Sequence, residues 1–316
     1  MSRTRSLMSA LRDRLGAAEP LGPAPLPVIP PPPVRVYVPR YQTTPFAKQA
    51  AAHTTALVGI GHVGTRYATD VVLQFQAELA VAHQAVAAEL PEGWAEANHL
   101  LPLASRATHH REFLLRPDLG RRLDAASLER LRAQAAKGVD LQIIVADGLS
   151  AVACMGSGLA LAHALQAAAT ARGLKVGTLV GATRARVWLE DEIGQEVGAK
   201  VAVILLGERP GLGTGDGLSA YAVYDPRVGR TDGDRNMISN IHARGMPPDE
   251  AAHRLAALAA AMIEQRTSGV SLDLSRVDAP VERGNRAPQV RRKLVGDAGD
   301  RDRDRDRDRD PTRSAR

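Results

Sequence analysis

The stretch from Lys200 to Gly213, KVAVILLGERPGLG, decides the fold. From Val201 to Leu206 it is an unbroken apolar run, the pattern of a strand buried on both faces. Val139 to Ala146 (VDLQIIVA) is a second such run and closes on Asp147-Gly148, while Lys175 to Val180 offers a third strand. Between them, Leu159 to Ala171 repeats Ala and Leu at helical spacing and stops at Gly173. Leu218 to Tyr224 then resembles a strand, and Pro248 to Gln265 a helix entered through Pro247-Pro248. Apolar strands alternating with helices predict an α/β domain with a mainly parallel sheet over 138–272.

Upstream, 49–137 is expected to form a helical N-terminal domain. Val71, Val72, Phe75, Leu79, Ala82 and Val86 keep a 3.6-residue period, and Asp124 is an N-cap candidate before Ser127-Leu128-Glu129-Arg130-Leu131. Before it, 1–48 combines a short amphipathic helix (Leu7, Leu11, Leu15) with a proline-rich spacer containing Pro30 to Pro33. At the other end, 273–316 is an Arg/Asp-rich tail. Its strict alternation from Asp300 to Asp310 leaves nothing apolar to bury, so this segment is expected to be disordered, as is most of 1–48.

Composition narrows the function classes. Net charge is +6, yet 1–48 carries seven Arg/Lys against two Asp/Glu, and 283–316 twelve against seven. The remaining body is therefore mildly acidic, which argues against a nucleic-acid partner. One cysteine, Cys154, excludes an internal disulfide and suits a reducing compartment; its Ala/Gly/Met setting resembles packing more than an activated thiolate. No apolar run approaches the roughly 18–20 residues of a membrane helix, and no secretory leader is evident, so a cytoplasmic location without membrane contact is expected.

No self-sufficient catalytic or metal site assembles from the motifs. Gly59-Ile60-Gly61-His62-Val63-Gly64 fits G-x-G-x-x-G, but a dinucleotide site also needs a βαβ unit, and the sequence downstream is one helical pattern containing Glu78. A free-standing oxidoreductase using these glycines is one alternative, and a non-enzymatic scaffold acting through the tails is another. Gly207 to Gly215 is more informative, because it follows the most apolar strand and so lies at a carboxyl end of the sheet. Glu208 there would be costly to bury unpaired, which suits it to accept hydrogen bonds from a ligand or to pair with an arginine. Asp147 occupies the equivalent exit of an earlier strand, either as an N-cap in the Asp-Gly-Leu-Ser turn or as a ligand contact.

Five ordered blocks carry a resemblance: RPDLGRRL (Arg116 to Leu123), ADGLSA (Ala146 to Ala151), GLKVG (Gly173 to Gly177), DEIGQEVGAKVAVILLGERPGLG (Asp191 to Gly213) and RTDGDRNMISNIH (Arg230 to His242). Together they resemble the small subunit of ethanolamine ammonia-lyase over about 50–272. The resemblance implies an adenosylcobalamin-dependent lyase that converts ethanolamine to acetaldehyde and ammonia by a radical mechanism. Six large subunits carrying the active site would assemble with six small ones that close over the cofactor. It also implies that this chain is not catalytic alone and that its cobalamin contacts fall on Val187, Glu208 and Met237. Met237 stands where the family usually has cysteine, and His62, Tyr67 and Ala68 where it tends to have Arg, Pro and Arg. Residues 5–16 are expected to dock on a partner or a bacterial microcompartment shell, whose lumen is then an alternative location.

Overall fold

A computed structural model describes residues 62–277 apart from Gly64, the loop 212–215 and Arg244, together with the isolated positions Pro45 and Gln49. The short N-terminal helix, the proline spacer, the glycines of the G-x-G-x-x-G match and the Arg/Asp repeat all lie outside the described residues. Two short strands, β1 (His62–Val63) and β2 (Arg66–Tyr67), pair antiparallel ahead of the long helix α1 (Thr69–Ala87).

The centre of the molecule is a six-stranded sheet. Its strands are β3 (Leu101–Ala104), β4 (Leu141–Ala146), β5 (Val180–Thr183), β6 (Val201–Gly207), β7 (Leu218–Tyr224) and β8 (Arg235–Ile241), in the order β3-β5-β4-β6-β7-β8. The first four run parallel, and β7 and β8 add antiparallel. The α/β reading with a mainly parallel sheet therefore holds. β4 and β6 lie side by side in register from Leu141↔Val201 to Ala146↔Leu206, and every residue in both is buried.

Alternation along these strands splits the core into two layers. Leu141, Ile143, Val145, Val203 and Leu205 pack against α5 (Ala151–Ala171) and α7 (Pro248–Gln265). Ile144, Ala146 and Ile204 face the opposite layer, with α4 (Ala125–Gln134) and α6 (Leu189–Val197). Local sequence sets the helix ends. Asp124 accepts the Ser127 N–H at 2.6 Å as the N-cap of α4, and α6 stops at Gly198 in the left-handed region (φ 64°). Between α1 and α4 lie two further short helices, α2 (Trp94–Ala97) and α3 (His110–Leu115).

Several expectations shift. The stretch 49–137 is not wholly helical: Leu101–Ala104 is an edge strand of the main sheet, and Leu123 and Leu131 pack in the same core layer as β4 and β6. All described residues fall in one compact unit. The third parallel strand starts at Val180 rather than Lys175, with only a single bridge at Val176 before it. There the Gln142 side chain donates to the Thr178 carbonyl at 2.7 Å, taking an acceptor that a regular ladder would use. Finally, α5 is a continuous 21-residue helix long and apolar enough to cross a membrane. The helical pattern legible in the sequence begins only at Leu159, because Gly156, Ser157 and Gly158 interrupt the apolar residues before it. A π-turn at Cys154–Gly158 carries the helix through that segment, and Leu161, Leu165 and Ala169 pack into the core.

Candidate functional site

From the carboxyl end of β4 the chain enters α5 on one face of the sheet, whereas from β5 it enters α6 on the other. A crevice opens where neighbouring connections diverge in this way, the place where open α/β sheets bind ligands. Its floor is backbone. Gly148 has φ +53°, and the Leu149 N–H donates to the Gly207 carbonyl at 2.8 Å. A Cβ at Gly207 would land on the carbonyl oxygens of Asp147 and Ser150, so glycine is needed there for close approach.

Asp147 staples two loops beneath this floor. Its carboxylate oxygens accept the backbone N–H groups of Arg184 (2.7 Å) and Ala185 (3.2 Å). Burial nevertheless outweighs these donors and pushes its pKa up to about 6. The cap of α5 is instead Ser150, which accepts the Ala153 N–H at 3.1 Å. The N-cap reading of Asp147 therefore gives way: its carboxylate ties the β4 exit to the β5 exit.

Two hollows share Glu208 and Tyr221. One, of ≈ 280 Å³, lies over the floor and takes in Val187; the other, of ≈ 360 Å³, takes in Arg209, Ser219 and Met237. Both are at the small end for a site that encloses a ligand unaided. The three residues expected from sequence are thus neighbours along one face. Val187 is half-buried in the loop after β5, Glu208 is in the turn after β6, and Met237 is 52% exposed on β8 opposite Tyr221. The Tyr221 hydroxyl donates to Glu208 Oε1 at 2.9 Å. Burial and that carboxylate hold the Tyr221 pKa well above the usual phenol value, so it remains a donor.

Sequence reasoning missed the wall of the first hollow. Trp188 donates its indole N–H to Asp232 Oδ1 at 2.6 Å, and the Arg121 guanidinium lies 4.4 Å from its ring centroid. Behind Trp188 sits a buried charged cluster. Arg235 donates to both oxygens of Asp191 (2.8 and 2.9 Å) and to Glu190 Oε1 (2.8 Å). Glu190 Oε2 is buried without a partner, and burial raises the Glu190 pKa well above its usual value, against the pull of the Arg235 charge. A signal existed in the sequence: Glu190-Asp191 opens α6, where two adjacent acids on a buried helix start require a cation. Cys154 is buried and its thiol pKa is raised by burial, the state of a packing residue.

The sheet, the crevice at its carboxyl edge and the turn after β6 all lie within a matched region. The family model "Ethanolamine ammonia-lyase light chain (EutC)" matches residues 45–273, and the chain belongs to that family.

Proposed function

We propose that this light chain closes over adenosylcobalamin held between it and a large subunit, in a complex that converts ethanolamine to acetaldehyde and ammonia. The observation that supports this most is the pair of shallow hollows meeting at Glu208 and Tyr221: a broad, partly polar face that needs a second surface to enclose a ligand. The donor set suits a corrinoid, which is apolar on its faces and fringed with amides. Val187 and the exposed Met237 offer apolar contact, Glu208 accepts from an amide or ribose donor, and the glycine floor lets a flat group approach backbone. When bound, adenosylcobalamin supplies a cobalt–carbon bond whose homolysis starts radical chemistry.

The chain's own residues bind, orient and exclude water. Tyr221 fixes Glu208 through one oxygen and leaves the other for a ligand donor, and the Asp147 staple holds Val187's loop against the floor. A rigid wall of this kind fixes the distance between a bound group and a substrate on the other chain. Met237 keeps van der Waals contact where the family usually has cysteine and gives up the thiol.

The test is co-expression with the large subunit, addition of adenosylcobalamin, and assay of acetaldehyde release. Activity should require both chains, and the purified light chain alone should be inert. Turnover by the light chain alone would overturn the reading. The six-plus-six assembly predicts one mass for the mixed complex by light scattering. Docking of residues 5–16 on a microcompartment shell predicts that their deletion disperses the protein through the cytoplasm; unchanged partitioning would refute it.

A further inference from the structure

Two arginines in the first hollow have no acid beside them. Arg121 stacks on Trp188, and the Arg186 guanidinium lies 4.1 Å from the Phe113 ring centroid, donating from Nη2 to the Phe113 carbonyl at 2.9 Å. Arg186 Nε is buried with no hydrogen-bond partner. Among the described residues neither guanidinium has a carboxylate at salt-bridge distance. The acids lining the same hollow are engaged elsewhere, Glu208 with the Tyr221 hydroxyl and Asp232 with the Trp188 indole. Asp147 attracts Arg186 from further off, but its oxygens accept backbone N–H groups.

The two arginines are held together by built contacts. The Arg186 N–H donates to the Gly120 carbonyl at 2.8 Å. A Cβ at Gly120 would stand 2.7 Å from Arg186 Cγ and 3.2 Å from the Phe113 ring, so glycine there lets the arginine lie down. Burial, with the like charges of Arg121 and Arg209, lowers the Arg186 pKa from the usual guanidinium value. Mutual repulsion at an open hollow is relieved by an anion with several acceptor oxygens, the group that guanidinium forks match best.

We propose that Arg121 and Arg186 form a subsite for a phosphodiester, the one in the nucleotide loop of the corrinoid. This rests on the cobalamin reading above and adds to it the part of the ligand that the first hollow takes. A corrinoid has no other group that carries a full negative charge, and the phosphodiester hangs on the side of the ring away from the adenosyl group. A light chain that grips it would hold the non-reacting side of the cofactor.

The experiment compares two probes on the assembled complex, hydroxocobalamin and a cobinamide that lacks phosphate and nucleotide. Binding is read from the visible spectrum that co-migrates with protein in gel filtration, with no turnover required. Arg121→Met, at an exposed position, and Arg186→Met should each weaken cobalamin binding about tenfold, the scale of one charge-assisted hydrogen bond. Cobinamide binding should stay within about twofold, and Arg121→Lys should restore part of the cobalamin affinity. Equal loss of both probes, or loss of neither, overturns the phosphodiester assignment. If millimolar inorganic phosphate raises the melting temperature of the wild-type light chain but not of the variants, while their corrinoid binding is unchanged, the pair serves a free anion and the assignment also fails. A wild-type complex that retains neither probe counts instead against the cobalamin reading itself. Should Arg186→Met fail to fold, Arg121→Met alone decides.

Discussion

Glu208 has one oxygen engaged by Tyr221, and the other makes no hydrogen bond among the described residues. Glu208→Gln keeps the shape but replaces one acceptor by a donor. It should weaken corrinoid retention by the assembled complex about tenfold while leaving the light chain's melting temperature unchanged; unaltered retention would remove Glu208 from the site. Asp147 gives a pH prediction. Its folded pKa of about 6 exceeds the ordinary 3.8, so the folded chain binds this proton more tightly than the unfolded one. The group's stabilising effect is complete below about pH 4, falls as pH rises to about 6 and is constant above that. That difference in pKa corresponds to about 3 kcal/mol. Between pH 4 and 7 the unfolding free energy of Asp147→Asn, relative to wild type, should therefore shift in the variant's favour by about that amount. A difference that stays flat with pH would mean that the carboxylate is not desolvated. At this scale Glu208 was legible in the sequence, because a charged residue directly after the most apolar strand demands a partner. Trp188, Arg121 and Asp232 were not, because their contacts join loops far apart in the chain.

Among the elements, β6, β7 and α7 were legible because each has a single uninterrupted pattern. The strands β3 and β8 were not. Both are edges of the sheet, where one side lacks a partner, so Pro102 is tolerated in β3 and β8 alternates with exposed polar residues. The acid pair that opens α6 signals a cation, but not which one, since a buried arginine on a polar edge strand resembles any surface arginine. The link between α6 and β8 carries its own prediction. Arg235→Met would leave Asp191 buried without its cation and should cost about 3–5 kcal/mol, read from urea unfolding. Glu190→Gln should cost under about 1.5 kcal/mol, because burial disfavours the charged form of Glu190 and glutamine keeps one acceptor toward Arg235. Comparable losses in the two variants would show instead that Glu190 is ionised.

In the molecule as a whole, the buried residues among those described run from Ala68 to Leu272, and most of them form two layers around one sheet. The composition foretold this division of labour in part: with aromatics at 3% of the chain, the layers are built from Ala, Val, Leu and Ile. Removing 1–44 and 278–316 should leave the melting temperature within a few degrees, about the effect of 1 kcal/mol in a domain of this size. A drop beyond 10 °C would show that the ends contribute to the core.

The interlock of Gly148 with Gly207 has a consequence for how such proteins diversify. Main chain seated on main chain leaves no side chain to enlarge or trim, so the base of the crevice has no means of adapting to a differently shaped guest. Adjustment is left to the rim, where the side chains of Met237 and Trp188 line the two hollows. Among relatives, a change in preferred guest should be written at those two positions, over a base that stays the same.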